Sequence, residues 1–256
     1  MIRYGGPGTN QTWKCKKCGK HKNHGKKIPK KQAKLEYNYS LGYIIGVILG
    51  DGSMGKSKDY WYFNDKNQQV PKAQATRIIP RYRHLFQLQV IDKDFTEEYA
   101  KHIKILMGKT TKPYLIKNKP VTEIAGNKLK KPYSPTIYKV QFSSEEWYHI
   151  LKPLLENFDW LKNANREVKR GFLVGLYDSE GGAHPEKYRI RVHLTNKNRD
   201  LLELVRGLLK EYEIESGIYL NSQNIYRLSF GKRAHVNIFA NNLGFSIKRK
   251  QNILGK

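Results

Sequence analysis

Acidic residues are scarce in this chain. In 256 residues, 22 Asp and Glu stand against 48 Lys and Arg, a formal net charge of +26. A lysine-rich surface of the thermophile kind brings matching acids with it, so the deficit excludes that explanation. It points to a polyanionic partner, nucleic acid first. Cysteine is scarcer still: two residues make no disulfide framework. No apolar run approaches the roughly 20 residues of a membrane span. The opening residues 1–8, MIRYGGPG, lack the apolar core of a signal peptide. The expectation is a cytoplasmic protein with no membrane partner. No Walker-type phosphate loop is present. No Ser/His/Asp or Cys/His set stands out, and His149, His184 and His235 read as scattered structural residues.

What is present is a duplication. Residues 41–52, LGYIIGVILGDG, and 171–181, GFLVGLYDSEG, are apolar helical runs with small residues four apart. Gly42, Gly46 and Gly50 recur as Gly171, Gly175 and Ser179, and Asp51 recurs as Glu180, each 129 positions on (171 against 42, 180 against 51). Residues four apart share a helix face. A face without Cβ bulk lets another backbone approach, so the two runs are expected to pack on each other. Their C-terminal ends then meet, with Asp51 and Glu180 side by side. For a scaffold this is costly. An acid opposes the dipole at a helix C-terminus, and two facing carboxylates repel. A divalent metal held by the carboxylates and free helix-end carbonyls relieves both.

The two runs resemble the paired motifs of the LAGLIDADG homing endonucleases in single-chain, two-repeat form. Residues 44–52, IIGVILGDG, and 173–181, LVGLYDSEG, match the nine-letter motif. The family's catalytic acid is the eighth letter, which falls on Asp51 and Glu180. The first copy has Leu49 where the motif has its earlier Asp. The resemblance implies an archaeal, intron-encoded enzyme that cuts double-stranded DNA as a monomer. It implies Mg²⁺ held by Asp51, Glu180 and the carbonyls of Gly50 and Ser179, with Mn²⁺ or Ca²⁺ able to substitute in binding. It also implies 3′ overhangs and a long target, asymmetric or pseudo-palindromic. Lys93 and Lys197 resemble the family's active-site lysines, from matching 91–94 (IDKD) with 195–198 (TNKN).

The rest of the chain extends the repeat. An α+β fold is expected, two pseudo-symmetric αββαββα repeats whose antiparallel sheets bind DNA around the central motif helices. The boundaries read as a basic arm over 1–36, a first repeat over 37–157, a linker over 158–164 and a second repeat over 165–256. Ser40 is expected to cap the first motif helix, with a polar turn after Gly52. Strands are expected from Tyr60 to Phe63 and Arg81 to Val90, with a loop over 64–80 between them. A helix is expected from Thr96, and a long basic loop before Ile137. Polar strand faces suit base-edge contacts. The candidates are Arg81, Arg83, Gln87, Gln89, Lys139 and Gln141, then Arg189, Arg191, His193, Asn221, Arg227 and Ser229. In the arm, Cys15, Cys18, His21 and His24 are candidate Zn²⁺ ligands. Zinc, free thiols and a local disulfide stay open there. The rival readings are an RNA maturase that binds intron RNA and a non-catalytic DNA-binding regulator on the same fold.

Overall fold

The computed structural model describes residues 2–4, 12–14, 21–23, 34–66, 68–116, 121–124, 127–133, 135–221 and 224–255. The chain forms two compact units, 1–34 and 35–256. The first carries three short antiparallel strands, β1 (Ile2–Tyr4), β2 (Thr12–Lys14) and β3 (His21–Asn23), in the order β1-β2-β3.

The second unit opens on α1 (Tyr39–Leu49). Its N-cap is Asn38, whose side chain accepts from the Leu41 N–H at 3.1 Å. Ser40 lies inside the helix instead, buried, sharing a 2.9 Å hydrogen bond with His102 Nδ1. Two turn-formers stood close together, and the outer one took the cap. Strand β4 (Gly52–Phe63) begins at the motif glycine with no intervening turn, and β5 (Arg77–Val90) starts four residues earlier than the alternation suggested. Helix α2 (Lys93–Met107) starts at Lys93, not Thr96, and β6 (Tyr114–Ile116) follows. The expected basic loop contains a hairpin, β7 (Val121–Ile124) and β8 (Asn127–Tyr133). Strand β9 (Ile137–Ser143) leads to α3 (Glu145–Glu156), capped by Ser144, and to a short helix α4 (Asp159–Lys162) within the expected linker.

The second half repeats the plan. Helix α5 (Arg166–Glu180) is followed by β10 (Gly181–Glu186), β11 (Arg189–Asn196), α6 (Arg199–Lys210), β12 (Gly217–Leu220), β13 (Tyr226–Phe230), α7 (Arg233–Asn242) and α8 (Lys248–Leu254). The sheets have one topology, β4-β5-β9-β6 and β10-β11-β13-β12. In each, side chains alternate as a half-buried sheet requires. Phe86, Leu88 and Val140, and Val192, Leu194 and Leu228, are buried beneath the helices. The predicted residues that fall on strands lie on the other face, where Ser229 is nevertheless buried, and Asn221 lies beyond the end of β12.

Helices α1 and α5 form the joint, and glycine makes it possible. A Cβ at Gly42 would stand 2.7 Å from the Phe172 N, and one at Gly171 2.9 Å from the Tyr43 N. A Cβ at Gly46 would stand 2.7 Å from the Leu176 N, and one at Gly175 3.0 Å from the Tyr43 carbonyl carbon. These clashes are reciprocal: residues 42 and 43 of one helix answer to 171 and 172 of the other. The glycine faces lie backbone to backbone across a pseudo-twofold axis.

Candidate active site

Both motif helices end at or just before the motif acid, α1 two residues earlier in the repeat than α5. In α1 the C-cap Gly50 bonds back to the Val47 carbonyl, Asp51 follows, and β4 leaves at Gly52. In α5 Glu180 is the last helical residue and Gly181 is at once the C-cap and the first residue of β10. The two ends touch: a Cβ on Gly50 would lie 2.9 Å from Ser179 Oγ and 3.1 Å from Glu180 Cγ. Each acid thus sits where a helix turns into the first strand of its own sheet.

The electrostatics are those of two carboxyls crowded together. Desolvation raises Asp51, although its side chain still reaches solvent, and the nearby Asp92 adds to the rise. Desolvation raises the half-buried Glu180, and the charge of Asp51 raises it further. The Lys250 ammonium opposes both shifts. This lysine is buried on α8 and donates to the carbonyl oxygens of Asp178 at 2.5 Å and Gly181 at 2.7 Å. It occupies the C-terminal end of α5, where unpaired carbonyls and the helix dipole favour a cation. Burial lowers its own pKa, against the pull of Asp178 and Asp51. The sequence reading missed it. The signal was there: Lys250 and Leu254, four apart on α8, share a buried face next to the buried N-cap Ile247, and a lysine on such a face calls for a partner. Lys250→Met is expected to leave those carbonyls unpaired and lower stability by about 2–3 kcal/mol. Urea unfolding of the full chain measures it.

A second buried network holds the joint. Asp178 Oδ2 accepts from the Tyr43 hydroxyl at 2.9 Å and from the Ser246 hydroxyl, and Oδ1 accepts from the Ser246 N–H at 2.9 Å. Burial pushes Asp178 up to about 6 in spite of these bonds. Its counterpart in the first motif is Leu49, so only the second half carries this tie.

The cross-strand register places the other candidates. Gly52 lies opposite Leu88 and Gly181 opposite Leu194, so Leu88 and Leu194 are equivalent. Gln87 then corresponds to His193, Gln89 to Thr195, Gln141 to Ser229 and Lys139 to Arg227, and these pair across the strands in matching rows. Lys93 and Lys197 are not equivalent, which corrects the pairing drawn from sequence. Lys93 corresponds to Arg199, and Lys197 to Ile91. Lys93 is exposed, opens α2 and pairs with Glu97 at 3.1 Å. Lys197 shares with Glu180 a cleft of about 470 Å³, lined also by Thr195, Asn196, Asn221 and Arg227. On the middle strands β9 and β13 the repeat relates two cations, Lys139 and Arg227.

Several predicted DNA contacts carry internal partners. Arg83 pairs with Asp59 at 2.6 Å, and Arg189 and Arg191 both bind Glu186 at 2.6 and 2.5 Å. Asn221 accepts from the Ile225 N–H at 3.0 Å and closes the β12–β13 turn. His193 is held down to about 4 by burial and by Arg227, hence neutral near pH 7, and its Nδ1 and the Arg227 Nε are buried without a hydrogen-bond partner. Cys15, Cys18 and His24 lie outside the described residues, as does the side chain of His21. Among the described residues no group of three His, Cys, Asp or Glu converges on a metal. The two motif acids with helix-end carbonyls nevertheless suit a hard divalent cation. Their donors are all oxygen, and their mutual repulsion is only partly met by Lys250.

No helix among the described residues is long and apolar enough to cross a membrane. The model of the LAGLIDADG-like domain matches residues 167–244. An uncharacterized protein of Methanocaldococcus jannaschii is 27% identical over 210 residues, 78% of this chain; the match spans 64% of that protein's length. The homing endonuclease I-DmoI of Desulfurococcus mucosus is 25% identical over 196 residues, 76% of this chain and 82% of its own. The structure of I-DmoI in complex with DNA and Ca superposes with a TM-score of 0.55 at 20% identity, covering 86% of this chain and 99% of that one. Residues 167–244 are thus a LAGLIDADG-like domain, and the chain has that family's single-chain, two-repeat form.

Proposed function

We propose that this protein is a site-specific, Mg²⁺-dependent endonuclease that cuts double-stranded DNA, leaves short 3′ overhangs and promotes intron mobility. One observation carries the reading. Two acids, one from each repeat, meet at the end of a glycine-packed helix pair, flanked by two equivalent sheets with cationic outward faces. Asp51 and Glu180, with the carbonyls of Gly50 and Ser179, would hold the ion. Bound there, the ion would supply Lewis-acid stabilisation of the charge that builds up on the phosphate. The chain's own residues do the rest. Gln87, Gln89, Lys139 and Gln141 on one sheet, and Arg191, His193, Arg227 and Ser229 on the other, bind and orient the duplex. Lys139 and Arg227, related by the repeat, steady the phosphates beside the acids, and Lys197 adds charge at Glu180. Water attacks phosphorus, the ester P–O bond breaks, and the leaving sugar oxygen takes a proton. One acid for each strand lets a monomer break both. The DNA in the I-DmoI complex supports a duplex partner for this fold.

The test is selection from a pool of random duplexes in Mg²⁺. A discrete recovered sequence, cut on both strands and spared when EDTA is present, is the expected result. Specific binding of duplex without a cut in Mg²⁺ or Mn²⁺ would favour a regulator. Binding confined to structured intron RNA would favour a maturase.

A further inference from the structure

The two halves share a topology but not a length. Strands β10 and β11 pair over six rungs, from Gly181–Leu194 to Glu186–Arg189. Strands β4 and β5 start from the equivalent rung, Gly52–Leu88, and pair over twelve, out to Phe63–Arg77. The six extra rungs extend the first hairpin by roughly 20 Å, at about 3.4 Å per residue. Strand β9 joins β5 only from Leu85 to Val90. The rungs from Ser57–Arg83 outward therefore form a two-stranded ribbon.

A bare two-stranded ribbon is marginal in water, and this one is stiffened by its own side chains. Lys56 lies over the Tyr82 ring at 4.3 Å, Arg81 over Trp61 at 4.8 Å and Arg77 over Phe63 at 5.5 Å. Tyr60, Trp61, Ile78 and Tyr82 remain exposed. The rungs of the ribbon carry Lys58, Arg77, Arg81 and Arg83, with Lys56 at its base, against one acid, Asp59. Strand alternation puts Arg77, Arg81 and Arg83 on the face that continues through Gln87 and Gln89. A cationic ribbon of two strands has the width of the DNA major groove. Among the described residues nothing comparable extends from the second half, where the hairpin turns at Lys187 and Tyr188.

We propose that the β4–β5 ribbon is a major-groove arm that reads the outer part of one half-site, so that recognition reaches farther from the cut on the first repeat's side. At about 3.4 Å of axial rise per base pair, the extra length corresponds to roughly six base pairs. The inference rests on the duplex-DNA reading above and adds its asymmetry.

The test uses the full chain and a duplex selected from a random pool, with hydroxyl-radical footprinting of the complex. The wild type is expected to protect one half-site roughly six base pairs farther out than the other, at about 3.4 Å per base pair. A trimmed variant with residues 58–82 replaced by Asn-Gly joins Ser57 to Arg83 at the rung equivalent to Glu186–Arg189. Its footprint is expected to become symmetric, with base preference lost at the outer positions. Arg77→Ala with Arg81→Ala covers the case in which trimming prevents folding, and is expected to weaken duplex binding about tenfold or more and relax the same outer positions. A symmetric wild-type footprint, or outer protection that survives both variants, overturns the proposal while leaving the duplex reading intact. Failure to bind any duplex removes that reading and the arm with it.

Discussion

Gly175→Ala is expected to cost the chain several kcal/mol and to unfold a large fraction of it at growth temperature. Most glycine-to-alanine changes inside helices do the opposite, because alanine gives up less backbone entropy on folding. Here the added methyl would meet the backbone of Tyr43, with its carbonyl carbon at 3.0 Å and its carbonyl oxygen closer still. Backbone of a buried helix cannot swing aside as a side-chain tip can, so α1 and α5 must separate. Separation opens the packing of Tyr43, Ile44, Phe172 and Leu176, all fully buried. Overpacking costs about 1–3 kcal/mol where side chains yield, and a clash between main chains belongs at or above the top of that range. Gly46→Ala, its counterpart across the pseudo-twofold, is expected to match it. Gly207→Ala is the control. It lies in α6 with open space around it, and is expected to raise stability by about 0.5–1 kcal/mol. Denaturant unfolding of the three variants reads the difference in sign. A stabilised Gly175→Ala protein would mean that the helices do not meet on this face.

The single substitutions Asp51→Asn and Glu180→Gln are each expected to lower double-strand cleavage by roughly 10³-fold, about 4 kcal/mol of transition-state stabilisation. Duplex binding is expected to be equal or tighter, because each change removes a negative charge that faces phosphate. Folding stability should hold or rise, since burial and mutual repulsion act against these carboxylates. If each acid serves mainly one strand, the residual product of each variant is nicked duplex, with opposite strands cut in the two cases. Gel analysis of supercoiled, nicked and linear product separates these outcomes. Cleavage unchanged in either variant would reduce that acid to an ordinary helix-end residue.

The central joint was legible because it is periodic and repeated. Small residues four apart can mean only one face, and two copies in register imply a partner. The strand faces were legible where the core forces alternation, as from Phe86 to Val90. Legibility ended where burial ended. Residues 55–59, GKSKD, have no apolar alternation because both faces of the ribbon lie beyond the core, so a strand looked like a turn. The β7–β8 hairpin lies in a lysine-rich stretch without sustained apolar alternation, so its sequence reads as loop. Ser40 and Asn38 are both good caps, and the choice between them depended on a partner, His102, sixty-two residues away. Lys93 and Lys197 looked matched because each follows its strand at short range. Only the ladder shows that both halves reach their helices by the same spacing, so that Lys93 opens its helix while Lys197 falls two residues before its own. Lys250 reaches the carbonyls of α5 from some seventy residues away, and long-range pairing of that kind leaves only the trace of a charge on a buried face.

The most direct measurement is to sequence both strands of the duplex cut by the wild type in Mg²⁺, beside the Asp51→Asn/Glu180→Gln double variant on the same duplex. One cut in each strand, offset to leave 3′ overhangs, with no cut by a double variant that still binds, is the predicted result. Cleavage by the double variant at the same positions would contradict the account, because the scissile chemistry would then lie outside the paired helix ends.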